Sequence, residues 1–137
     1  MKPLRLMVLA LAGSALLLAQ SGPRTVTEIP FAFEVANQVM PMGEYDFAGG
    51  HWAALTIRDV AEGNAIAVLG YAGKEGTGDA QVARLVFHKY GDRYFLAEVA
   101  FPEMTRTIAK SRSEKELVTS KLIAAMKERV VILARVF

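Results

Sequence analysis

From Phe31 to Val99 apolar and polar residues alternate in short runs of period two, the signature of strands with one buried face. Phe31, Phe33 and Val35 fall on one side of such a run, with Ala32, Glu34 and Ala36 on the other. Tyr45 and Phe47 alternate within Glu44–Phe47, Leu55 and Ile57 within Ala53–Arg58, and Ile66 and Val68 within Ala65–Tyr71. Turn-forming residues separate the runs: Pro41-Met42-Gly43, Gly49-Gly50 and Ala61-Glu62-Gly63-Asn64. Proline presets φ at a turn's first central position, and glycine accepts the dihedrals that other residues avoid.

The strongest local pattern is Val82–Tyr90 and Arg93–Val99 around Gly91-Asp92, a two-residue connection of the kind that matches strand twist in a hairpin. Beyond it the period changes. Leu117, Val118, Leu122, Ala125 and Met126 recur at helical spacing behind Ser113 and Glu116, which have capping-box separation. This predicts a helix over about 113–128. The β-branched run from Val130 to Phe137 predicts a last strand over about 130–137, with a continued helix as its competitor because no Gly or Pro marks the junction. About seven strands and one C-terminal helix predict a mainly β protein, a small antiparallel barrel or sandwich whose final strand closes it.

One apolar run does not fit a strand. Leu6–Ala19 is unbroken and follows Lys2 and Arg5, the pattern of a secretory signal peptide. The run is short of the ~20 residues that span a bilayer as a helix. Cleavage is expected after Ala19, with Ser21 as the second choice, so residues 1–19 read as a signal peptide and 20–137 as a single β-rich domain. The expected location is the periplasm or the medium, with no stable membrane span after cleavage.

This reading changes the charge argument. The chain has 16 basic and 14 acidic residues, but Lys2 and Arg5 leave with the signal, so no nucleic-acid affinity is inferred. What remains is split. Residues 20–105 hold six basic and eleven acidic residues, whereas 106–137 hold eight basic and three acidic. The simpler expectation is a basic C-terminal element docked on an acidic body. The alternative is a basic face for anionic envelope lipid or polymer. The chain has no cysteine, so its core must hold without disulfides and no thiolate chemistry is available.

Two segments carry a resemblance. Ile29-Pro30-Phe31-Ala32-Phe33-Glu34-Val35 leads to Pro41-Met42-Gly43-Glu44-Tyr45. Leu85-Val86-Phe87-His88-Lys89-Tyr90-Gly91-Asp92-Arg93-Tyr94-Phe95-Leu96 is followed by Lys110-Ser111-Arg112-Ser113-Glu114. Their Pro-Phe-x-Phe, Pro-x-Gly-x-Tyr and His-x-Tyr-Gly-x-x-Tyr-Phe-Leu patterns resemble a group of small exported proteins of environmental bacteria. The likeness covers about two thirds of the mature chain and implies a shared fold; that group has no settled activity, so no catalytic residue is implied.

Candidate chemistry is sparse. His51 and His88 lack ligand spacing, so no metal or other cofactor is expected. Ser21, Ser111, Ser113 and Ser120 lie outside any nucleophile elbow, and Ser113 reads as a cap. Glu44 and Asp46 alternate on one strand, as solvated acids do. Gly73–Asp79 lacks the order of a phosphate-binding loop and reads as a hairpin tip. Most aromatic residues must be core, but Tyr45, Trp52, His88, Tyr90 and Tyr94 are the candidates to line a sheet face or barrel mouth.

The expectation is therefore an exported, non-catalytic binding or envelope-associated protein with an apolar or envelope ligand. One alternative is a periplasmic enzyme using His88 with a nearby acid and Tyr90 or Tyr94. The other is a small outer-membrane-associated β protein. Against it, Arg135 shares a face with Phe137, and most strands fall short of the ~9–11 residues that cross a membrane.

Overall fold

The computed structural model describes residues 23–49 and 54–136. The expected signal segment and Trp52 lie outside the described residues. Ten strands and two short helices follow one another. They are β1 (Arg24–Ile29), β2 (Phe33–Val35), β3 (Gln38–Met40), β4 (Gly43–Gly49), β5 (Ala54–Asp59), β6 (Ala65–Glu75), β7 (Val82–Tyr90), β8 (Arg93–Ala100), β9 (Met104–Ile108), α1 (Arg112–Val118), α2 (Lys121–Ala125) and β10 (Lys127–Val136). Eight of the strands close a barrel in the order β8-β7-β10-β1-β4-β5-β6-β9, with β9 returning to β8. All eight of these junctions are antiparallel.

Period-two patterning explains the wall. Ile29, Tyr45, Phe47, Leu55, Ile57, Leu85, Phe87, Leu96, Val99 and Phe101 are buried together in one interior cluster. Val130, Ile132 and Ala134 of β10 pack against it, and the residues between them face out. The β7–β8 hairpin forms over almost the span its pattern predicts, with Gly91 supplying a φ of +65° at the turn. A bulge between Val86 and Phe87 adds curvature.

The β2–β3 hairpin lies off the barrel ring, bridged to β8 through Glu34 and Phe95. It plugs one end. Phe33, Val35 and Met40 join the interior cluster, and Phe33 meets Tyr45 and Phe87 edge-on with centroids 5.1 and 5.5 Å apart. Its turn holds Ala36 and Asn37 both in the left-handed region, at φ of 52° and 63°. That pair suits strand twist but strains alanine, for which this conformation costs roughly 1–2 kcal/mol.

The single helix expected over 113–128 is two. Ser120 adopts an extended conformation, and its hydroxyl accepts from the Ile123 amide at 3.4 Å, which ends one helix and caps the next. The first helix is capped by Ser111 rather than Ser113: the Ser111 hydroxyl accepts from Glu114 N at 3.2 Å. β10 then begins at Lys127, three residues earlier than its β-branched run suggests, because Lys127–Arg129 pair with Tyr90–His88 of β7.

Candidate functional site

Among the described residues two places carry chemistry, and the first is built around His88. Alternation on β7 buries Leu85 and Phe87 in the barrel and turns His88 and Tyr90 outward. There they meet Glu114 of α1, which is only 3 % exposed. Glu114 Oε2 accepts from the Tyr90 hydroxyl at 2.8 Å and lies 3.1 Å from His88 Nδ1. An ionised carboxylate only accepts, so Nδ1 carries the proton and Nε2 is left as the free ring position. Tyr90 also packs edge-on against Phe95, with centroids 5.8 Å apart.

Electrostatics fix the protonation states. Burial alone would raise the Glu114 carboxyl. The hydrogen bonds from His88 and Tyr90, with the electrostatic influence of His88 and Lys110, more than reverse this and hold it below its ordinary value. Tyr90 moves the other way: burial, then the hydrogen bond and the charge of Glu114, push its phenol well up. The result is a carboxylate held ionised and a phenol held neutral.

Glu114 stands three residues after Ser111, where a capping-box glutamate would turn back to its own helix's first amide. Its Oε2 is instead committed to the barrel, and the helix is fastened there. Asn37 of the β2–β3 turn completes the seat, its Oδ1 accepting from Ser113 N at 3.3 Å. Sequence reasoning named His88 and Tyr90 but not Glu114; its only signal was the Ser111-x-x-Glu114 spacing.

The other sequence candidates are elsewhere. Tyr45 is fully buried in the barrel, donating its hydroxyl to the Pro41 carbonyl. Tyr94 stacks on Phe31 at 3.8 Å and 11°, with Lys89 Nζ 5.4 Å from its ring centre. Asp46, expected in water beside Glu44, is buried and held by the Arg24 guanidinium. The Gly73–Asp79 segment is strand as far as Glu75, and beyond that it is pinned: Thr77 N donates to Phe101 O at 2.9 Å and Gly78 N to Pro102 O at 3.1 Å. Among the described residues, no three His, Asp or Glu side chains converge as metal ligands.

The second place is the barrel end opposite the β2–β3 plug. A pocket of about 380 Å³ opens there between Pro23, Ala80, Phe101, Pro102, Glu103, Met104 and Val136. Its walls are apolar except for Glu103. The Phe101–Glu103 turn that forms one side is held by the loop after β6, and Gly76 allows that approach. A Cβ at Gly76 would stand 1.9 Å from Phe101 O. These lining residues come from the residue before β1, the end of β10 and two connections, so no local motif announces them.

No protein-family model, curated protein or solved structure matches the chain.

Proposed function

We propose that the protein is an exported, non-catalytic binding module that takes a small apolar or amphiphilic ligand in the pocket at the open end of its barrel. The observation that carries this reading is the pocket itself, about 380 Å³ with walls of Pro23, Phe101, Pro102, Met104 and Val136. Small-molecule sites are concave, mostly apolar and of roughly 300–1,000 Å³, with a few polar groups setting orientation. Glu103 is the polar group here. The barrel interior is filled by its own aromatic and aliphatic side chains, which leaves the end of the barrel as the place for a ligand.

Export is supported by the basic start and apolar run of residues 2–19. Binding rather than catalysis is supported by the role of Glu114, whose two donors both lie on β7 and fasten α1 to it. A water-facing wall is favoured over a lipid-facing one by the direction of the side chains. Membrane barrels turn apolar residues outward. Here apolar residues fill the inside, and Arg24, Glu28, Glu44 and Arg58 are exposed on alternate wall positions.

The test is a titration of the purified mature protein with the neutral fluorescent probe N-phenyl-1-naphthylamine. Saturable enhancement that disappears in Ala80→Trp, a substitution filling the pocket from its exposed rim, is the expected result. Absence of saturable binding, or equal binding by Ala80→Trp, overturns the reading. Mass measurement of exported protein, expected to lack residues 1–19, tests the location.

A further inference from the structure

The barrel wall is least complete where its first and last strands meet. β1 and β10 share two residue pairs, Thr25 with Val136 and Val26 with Arg135. Continuing that register would set Thr27, Glu28 and Ile29 against Ala134, Leu133 and Ile132, where the ladder has already ended. Lys127–Val131 run past the end of β1, because the chain leaves at Pro30 for β2, which pairs with β3 and β8. On its other side β10 is paired with β7 at every position from Lys127 to Arg135. One edge of Lys127–Ala134 therefore has no strand beside it among the described residues.

An open edge presents backbone N–H and C=O groups as a template for another strand. The side chains of β10 suit that use. Val130, Ile132 and Ala134 are half-buried against the core, so an apolar row extends toward the open edge. The outward row is Lys127, Arg129, Val131, Leu133 and Arg135, all exposed, with Leu133 at 68 %. Its three cations make no ion pair among the described residues. Their neighbours on β7 do not neutralise them either: Tyr90 stands opposite Lys127, His88 opposite Arg129 and Arg84 opposite Leu133. His88 is already committed to Glu114. Glu128, the acid of β10 itself, belongs to the alternate row opposite Lys89.

We propose that this edge binds an extended segment of a partner protein as an added β-strand, acidic at the outward alternate positions and apolar at the inward ones. Backbone pairing supplies the affinity of such strand addition, and alternate side chains supply its specificity. A second copy of β10 is disfavoured as the occupant, because pairing two such edges brings rows of like charge together. The site is separate from the barrel-end pocket, and it stands or falls without it.

The test uses the full mature protein and three capped synthetic peptides: alternating Glu and Val, alternating Lys and Val, and the Glu/Val peptide N-methylated at every residue, which cannot extend a ladder through either edge. The Glu/Val peptide is expected to bind saturably and to slow hydrogen exchange of amides within 127–134. Lys127→Glu/Arg129→Glu is expected to lose at least about tenfold in affinity for it while gaining affinity for the Lys/Val peptide. Absence of saturable Glu/Val binding overturns the proposal. So does equal binding of the N-methylated or the Lys/Val peptide to the unsubstituted protein, which needs no variant to fold.

Discussion

Replacing Glu114 by alanine removes one carboxylate and disturbs two elements, β7 and α1. The Tyr90 hydroxyl, on a side chain 3 % exposed, loses its acceptor, His88 loses the partner of Nδ1, and α1 loses its fastening to β7. Hydrogen bonds to a charged group are worth about 1.5–3 kcal/mol each, and stranding buried partners adds to the loss. His88 retains some access to water, its side chain being 20 % exposed, so its share belongs at the lower end. We expect a loss of about 3–4 kcal/mol, a large part of the ~5–15 kcal/mol that stabilises an ordinary domain. For a chain of this size that lowers Tm by roughly 10–20 °C.

The pH dependence has a definite sign. Glu114 is held below its ordinary value of 4.5, so its contribution is complete above that value and is lost as pH falls through the lower folded value. Tyr90 is raised above its ordinary value of 10, so its contribution is complete below 10 and is lost as pH rises toward the folded value. Glu114→Gln keeps an acceptor for Tyr90 but removes the acidic limb. Thermal melts from pH 3 to pH 11, with hydrogen exchange of residues 112–118, measure all of this. Should Glu114→Ala change Tm by less than about 2 °C and leave exchange in α1 unchanged, the latch assignment is wrong.

Three further outcomes are expected. Gly76→Ala must push back the Phe101–Pro102 backbone, at a cost of about 2–3 kcal/mol in denaturant unfolding and with weakened probe binding in the pocket; unchanged values of both would refute the packing argument. Phe87→Ala empties a fully buried position flanked by Phe31 at 5.0 Å and Phe33 at 5.5 Å, and should cost about 3–5 kcal/mol by the same assay. The Arg93–Glu34 pair makes two hydrogen bonds of 2.8 and 2.9 Å, yet Arg93 is 41 % exposed. A double-mutant cycle on it should give a coupling of no more than about 1 kcal/mol, shrinking as salt is added.

The parts of the fold that were legible in the sequence are those where apolar alternation is clean. β7, β8 and their Gly91 turn are the best case, and the mainly β character with a late helical segment and closing strand follows from the same patterning. β1 and β9 escaped because their inward positions are partly threonine. Thr25 and Thr105 are buried, and each satisfies its hydroxyl on a carbonyl of another strand, Arg135 O and Glu75 O respectively. Such satisfaction lets a polar residue occupy a core position without an apolar signal. The β2–β3 hairpin escaped because its turn is Ala36-Asn37, and alanine gives no sign of the left-handed region. In the site, His88 and Tyr90 could be named as candidates, but Glu114 lies 26 and 24 residues away, and only the folded chain brings it to them.

The place of β10 between β7 and β1 has a consequence for biogenesis. The Thr25 hydroxyl reaches the Arg135 carbonyl across 110 positions of chain, so the ring cannot be completed before Arg135 has been made. Contacts this distant in sequence slow folding, because a long loop must close before they form. A chain cut short within β10 should therefore fail to reach the native state.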